Sequence, residues 1–454
     1  MLIPRSVRVV AFSVSLAIVP VCGSFAQDKA GKLEKIGHIV VIYLENRSFD
    51  HLYGLFPNAD GIRQAKPGAL IQVDGQGRVF PVLPRVFNTA QHPPGPDSRF
   101  PEQLPNRPFA IDRFVPAGEK TGDLVHRFYQ HQLQINGGRM NRFADVSDAG
   151  GLSMGYYQGS KRPLWHYASQ FVLADRFFQA AFGGSFLNHQ WLICACTPRY
   201  EQAPDELKAV LDGAGKLVKD GALTPDGYAV NTLQPAAQPH DSGAVKKKIL
   251  PPLTLPTIGD RLSEKGIGWA WFAGGWSAAA AGQPPKLFQF HHQPFVYYQR
   301  YAEGSENRRL HLKDGAEFLA GIDAGSLPAV SFYKPLGEVN EHPGYADLLS
   351  GERHVADVLD RIRRSPLWKD AMVIVTYDEF GGFWDHVPPP QIDRWGPGSR
   401  VPALIVSPFA RRGYVDHTHY DTTSILKLIE DRFQIAPLGE RDARANSLLH
   451  ALKL

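Results

Sequence analysis

The chain has 454 residues, 43% of them apolar and 21% charged, with a formal net charge of +4. That apolar share supports a large core and excludes a disordered or fibrous protein. The 49 basic side chains nearly balance the 45 acidic ones, which speaks against a polybasic surface for nucleic acid, and no uncharged apolar run is long enough to predict a membrane span.

The N-terminus reads as a targeting segment. Arg5 and Arg8 precede the short apolar run Val9 to Val21, and Ser24-Phe25-Ala26 puts small residues at the −3 and −1 positions of a cleavage site. This predicts a signal peptide over 1–26 and an exported protein, periplasmic or secreted, with residues 27–454 as one domain. Cys22 leaves with the signal, so Cys194 and Cys196 remain. A C-x-C pair closes a small ring, so the expectation is two buried residues on a helix with no disulfide; a redox or metal pair is the alternative.

The first predicted strand is Gly37 to Leu44, a continuous apolar run of the kind buried on both faces. Similar runs are Phe171 to Ala174, Trp269 to Phe272, Ala329 to Tyr333, Ala371 to Tyr377 and Pro402 to Val406. Helical patterns alternate with them at Phe186 to Ala195, Arg353 to Arg364 and Thr422 to Phe433. The alternation predicts an α/β fold with a mostly parallel sheet. Residues 57–120, with Pro57, Pro67, Pro81, Pro84 and seven further prolines, and residues 197–256 read as long loop insertions. Lys246-Lys247-Lys248 in the second could meet anionic lipid or simply be solvated.

Polar residues that carry chemistry gather where the strands end, which in an open parallel sheet is the ligand crevice. The first strand runs into Glu45-Asn46-Arg47-Ser48-Phe49-Asp50-His51. Glu45 and Asn46 offer hard oxygens to a divalent cation; alternatively Asn46 caps the next helix. The strand 371–377 delivers Asp378-Glu379, then Gly381-Gly382 and Asp385-His386. Adjacent carboxylates after a buried strand cannot both enter the core. In Gly183-Gly184-Ser185-Phe186, Ser185 falls at a helix N-terminus, suited to a nucleophile meeting an anion or to an ordinary N-cap. His126, the pair His291-His292 among aromatics, and His342 could donate to phosphate, protonate a leaving group or ligate metal. His417-x-His419 reads as a helix start, with metal ligation as the alternative.

Taken together, these stretches resemble the bacterial phosphoesterase family that contains acid phosphatases and non-haemolytic phospholipases C. The matching residues are Ile36 to Gly54, Ile135-Asn136-Gly137-Gly138, Phe290 to Phe295, Glu341-His342-Pro343, Thr376 to Pro389 and Arg400-Val401-Pro402, in family order. The resemblance implies an alkaline-phosphatase-like three-layer α/β/α sandwich. It implies Ser185 as nucleophile, a divalent metal among Glu45, Asn46, Asp378 and Glu379, and His126, His291, His292 and His342 around the phosphate. Glu379 stands where the acid phosphatase branch has aspartate. The serine at 185 is similar to the acid phosphatase branch, since the phospholipase branch usually has threonine.

The expectation is therefore an exported phosphoric-ester hydrolase, first a broad acid phosphatase and second a phospholipase C. Its substrate would be a small phosphomonoester or a phospholipid, with no nucleic acid and no stable membrane insertion. A non-catalytic phosphate-binding protein is the alternative from another class. For choline, aromatic loops at Trp269, Trp271, Phe272, Trp276, Phe288, Phe290 and Phe295 could supply cation–π contacts or be core. A second metal held by Asp385, His386 and His417 or His419 is a further option.

Overall fold

A computed structural model describes residues 31, 33–241, 243 and 248–454. The predicted signal peptide and two of the three lysines at 246–248 lie outside the described residues.

Eight strands form the main sheet: β1 (His38–Leu44), β2 (Val172–Ala174), β3 (Trp269–Ala273), β4 (Leu312–Asp314), β5 (Val330–Lys334), β6 (Ala371–Tyr377), β7 (Ala403–Val406) and β8 (Tyr414–Asp416). Their order is β4-β3-β5-β1-β6-β7-β2-β8. Only β7 runs against the rest, pairing antiparallel with both β6 and β2. The central strands are buried along their length, as unbroken Val/Ile runs require when both sheet faces are covered. The predicted strands all form, within a residue or two at each end.

Two sets of helices cover the two faces. Neighbouring residues on a strand point to opposite sides. On β5, Tyr333 stacks on Phe318 of α6 (Gly315–Asp323), centroids 4.3 Å apart, and meets His354 of α7 (Leu348–Arg364). On β1, Tyr43 packs edge-on to His189 of α4 (Ser185–Cys194) on the other side. Helix α3 (Pro163–Gln170) joins the first layer, hydrogen-bonding α7 through Tyr167 and Asp360 at 2.6 Å. Helix α5 (Ile258–Glu264) and helix α8 (Thr423–Phe433) join the second. The predicted three-layer α/β/α sandwich is the observed architecture.

Regular structure between 57 and 120 is limited to short helical turns and two-residue strands, as its prolines dictate. The expectation for the cysteines fails. Cys194 and Cys196 form a disulfide, with Cα atoms 5.1 Å apart. The reason is local: α4 ends at Cys194, and Ala195 takes a left-handed conformation (φ 49°). That turn brings the next cysteine back towards the helix end, which continued helix would not do.

Candidate active site

Strands β1, β5 and β6 are neighbours and parallel, so their carboxyl ends deliver Glu45, Lys334 and Asp378 to one edge. Beyond β1, Asn46 adopts φ 58°, a left-handed turn that asparagine tolerates. It does not cap helix α1 (Phe49–Tyr53); Ser48 does, accepting from His51 N. Asp378 Oδ1 accepts from the backbone N–H groups of Asn46 (3.4 Å) and Glu379 (2.8 Å), tying the two loops together. Gly381 has φ 64°, and a Cβ there would collide with the Asn46 carbonyl. The two loops therefore meet here backbone against backbone.

Ser185 is the first residue of α4. The N-cap is Gly184, which has no side chain to cap with, so the serine hydroxyl has no capping role. Gly183 before it has φ 84° and lies against the backbone of Phe128, the first residue of α2 (Phe128–Ile135). Asn188, one turn in, holds the entry by accepting from Ala181 N and donating to Ala181 O.

Ser185 Oγ lies 3.2 Å from Glu45 Oε2, 3.4 Å from Asn46 Oδ1 and 3.4 Å from Glu379 Oε1. All four residues are buried. One hydroxyl hydrogen can serve only one of these oxygens at a time. Asp378 Oδ2 and His189 Nε2 are also buried without a hydrogen bond, while Glu45 Oε1 meets Lys334 and His292 Nε2. Such a concentration of unsatisfied acceptors is foreign to protein interiors, and hard oxygens in this arrangement suit a divalent cation. The residues present therefore fit a metal ion. Electrostatics agree. Burial works against ionised Glu45, but Lys334 and His292 outweigh it and hold the group well below the usual carboxylate range. Asp378 and Glu379 are pushed well above that range, by burial first and then by the charge on Glu45. Three carboxylates this close need more positive charge than the chain supplies.

A cavity of ≈ 220 Å³ opens over Ser185, lined by His126, His291, His342, Tyr345 and Asp123 among others. His126 Nδ1 faces Leu124 O at 2.5 Å, and His342 Nδ1 faces Pro343 O at 2.6 Å. Those contacts direct each Nε2 inward, 3.6 Å from Glu379 Oε1 and 3.9 Å from Glu45 Oε2 respectively. His291 also lines the cavity. His292 does not. It turns behind the site, Nε2 2.9 Å from Glu45 Oε1, and burial drives its pKa down to about 4.

Two further residues join the cluster that sequence reasoning missed. Lys334, fully buried, ion-pairs with Glu45 Oε1. His189 lies one turn along α4 from Ser185, its Nδ1 2.8 Å from Ser185 O and 3.7 Å from Asp378 Oδ2. The signal for Lys334 was close to the one that located Glu45, a polar residue closing an apolar strand run.

Other expectations are corrected. Asp385 and His386 do not join the site. Arg400 Nε donates to Asp385 Oδ1 at 2.9 Å, and His386 Nδ1 is 2.6 Å from Asp50 Oδ2. His417 pairs with Asp175 at 2.8 Å, and His419 Nε2 lies 3.0 Å from Arg176. Neither histidine opens α8, which starts at Thr423. The second metal option thus has its residues spent on other partners. Trp269, Trp271, Phe272, Trp276, Phe288 and Phe295 are core, and Phe290 packs against it.

A serine at a helix N-terminus, facing buried carboxylates at the ends of parallel strands and rimmed by histidines, defines a class of α/β protein equipped to bind a phosphoryl group. The chain belongs to the Phosphoesterase family, whose profile matches residues 36–436. It is similar to phospholipase C A of Mycobacterium tuberculosis, 26% identical over 447 residues, covering 89% of this chain and 74% of that protein. It is also similar to the non-hemolytic phospholipase C of Pseudomonas aeruginosa, 23% identical over 449 residues, covering 90% of this chain and 56% of that one. Among solved structures, one of an alkaline phosphatase superfamily protein from Vibrio parahaemolyticus matches with a TM-score of 0.34 and 9% identity, covering 73% of this chain and 74% of that one.

Proposed function

We propose that the chain is a phosphoric-ester hydrolase that uses Ser185 as nucleophile, with phospholipid head-group diesters as its substrate class. The observation that carries this is the Ser185 hydroxyl, free of capping and 3.2–3.4 Å from three buried ligand oxygens. The phospholipase C names of the relatives support the diester. Glu45, Asn46, Asp378 and Glu379 would hold a divalent cation. Such an ion supplies Lewis-acid activation of an alcohol and offsets phosphate charge.

The chain's own residues do the rest. The phosphoryl group enters the cavity over Ser185, where His126, His291 and His342 contact its oxygens. Ser185 Oγ releases its proton to a neighbouring carboxylate and attacks phosphorus in line, the bond to the leaving oxygen breaks, and a cavity histidine gives that oxygen a proton. Free N–H groups at the start of α4 face the negative charge that develops. Water then cleaves the phosphoserine, losing a proton to that histidine and releasing phosphate or its monoester, while the carboxylate returns the proton to the serine oxygen.

A second reading, an acid phosphatase acting on small monoesters, is favoured by the burial of the tryptophans, which leaves them unable to cage a quaternary ammonium. Export fits either reading and suits the disulfide, a bond that persists in oxidising compartments. The test is turnover of phosphatidylcholine against an aryl phosphomonoester across pH, with divalent ion present. Preference for the lipid supports the first reading and preference for the monoester the second. Tight phosphate binding with no hydrolysis of either would overturn both.

A further inference from the structure

Lys334 has no part in the chemistry proposed for Ser185. It is the last residue of β5, carries no exposed surface, and lies among the ligand oxygens rather than at the substrate. Its ammonium pairs with Glu45 Oε1, donates to Leu44 O at 3.4 Å and sits 5.2 Å over the Tyr43 ring. Glu45 is thereby divided. Oε2 faces Ser185, and Oε1 faces away from it towards Lys334 and His292.

On that far side, one ligand atom each from Glu45, His189 and His292 lie within 4.8 Å of one another, and all three residues are buried. His189 Nε2 lacks a hydrogen-bond partner, and Glu45 Oε1 is shared between His292 Nε2, at 2.9 Å, and Lys334. Two imidazoles and a carboxylate are a donor set that suits zinc. The site is complete in ligands, yet a lysine ammonium already rests against its carboxylate. A divalent ion entering there would meet that like charge in a low-dielectric interior.

We propose that Lys334 is a built-in cation that takes the electrostatic role of a second metal ion and so restricts the strand-end cluster to one divalent ion. The charges balance on this view. Three carboxylates (Glu45, Asp378 and Glu379) against one ammonium leave two negative charges, which a single divalent ion cancels. Lys334 is then a positioning residue. It fixes Glu45 so that Oε2 stays beside the serine, and it touches no substrate. The inference rests on the metal reading of the same site.

The experiment is zinc titration of the chelator-treated full chain by calorimetry, with metal per chain counted by elemental analysis after desalting. The wild type should bind one equivalent. Lys334→Met, which keeps length and removes charge, should bind two. The second equivalent should disappear in Lys334→Met/His189→Gln. Lys334→Gln, which retains a donor towards Glu45, carries the same expectation should Lys334→Met fail to fold. One equivalent in the charge-removed variants, or two in the wild type, would overturn the proposal while leaving the metal reading intact. No zinc bound by the wild type would overturn the metal reading, and this proposal with it.

Discussion

Two buried clusters of carboxylates and histidines flank the segment 378–386, and they follow opposite rules. At the Ser185 cluster, Glu45, Asp378 and Glu379 lie together with a lysine that pairs with Glu45 alone, and Asp378 Oδ2 and His189 Nε2 have no hydrogen bond. At the Asp50–Asp385–His386–Arg400 cluster, the same residue types are saturated. Arg400 spans both aspartates and also donates to Asp60 O and Asp175 O, each at 2.7 Å. None of the four side chains has an unpartnered atom. The residues of both clusters are fully or nearly fully buried, and both contain three groups in metal-ligating geometry. The difference is satisfaction. A complete network holds loops together, whereas an incomplete one keeps its attraction for something that arrives later.

That contrast can be broken by mutation. The largest effect belongs to Ser185→Ala, which should lower turnover by about three orders of magnitude or more, roughly 4 kcal/mol in the barrier. Its thermal melt should match the wild type. Near-normal rates would remove the serine from the chemistry. Next, Arg400→Met strips the counter-ion from two buried aspartates and should cost about 3–5 kcal/mol of folding stability. Asp378→Asn, at an equally buried carboxylate, should leave the metal-free protein as stable as before or more so, while losing bound metal. Denaturant titration of both variants, with elemental analysis, checks the pair. If the two lose stability alike, the distinction drawn here is wrong.

The saturated cluster should also carry a pH signature. Burial opposes charge on His386, but Asp50 more than compensates and raises its pKa to about 9. A raised histidine contributes stability that is full below its unfolded value near 6.5 and is lost as pH climbs through 9, about 3 kcal/mol by linkage. Asp50 is lowered by the same partnership, so its contribution is present above the ordinary aspartate range and fades on acidification. Stability measured from pH 6.5 to 9 should therefore fall in the wild type and fall less in His386→Gln. The smallest effect is at the far end of α4. Opening the Cys194–Cys196 ring by Cys196→Ser should cost about 1–2 kcal/mol, since so short a loop restrains the unfolded chain little. Melts with and without reductant check it.

Much of this was legible in the sequence, for a specific reason. Strands buried on both faces must be unbroken apolar runs, so Val40-Val41-Ile42 and Val373-Ile374-Val375 announce themselves, and whatever follows them stands at the crevice. Glu45, Asn46, Asp378 and Glu379 were found that way, and Ser185 by the glycines that bend the chain ahead of it. Three things were not legible. Lys334 closes an apolar strand run in much the same way but looks like a surface charge until Glu45 is seen beside it. The saturation of Asp385 depends on Arg400 and on Asp50, which is 335 positions away in the chain. The disulfide depends on one left-handed residue, Ala195, which no pattern of side chains signals. Pairing across long separations and single backbone angles are settled only by the fold.

The contact between Gly381 and the Asn46 carbonyl has a consequence for how the centre is loaded. The two loops touch through their main chains, and Asp378 on one accepts from the Asn46 amide of the other, so folding sets their relative position. On the proposed metal reading, an ion would meet donors already set by the fold, and the cost of arranging them would fall in folding rather than in binding. A side chain at 381 would wedge the two walls apart, and the damage would register as lost grip on the ion in a molecule whose architecture was otherwise unchanged.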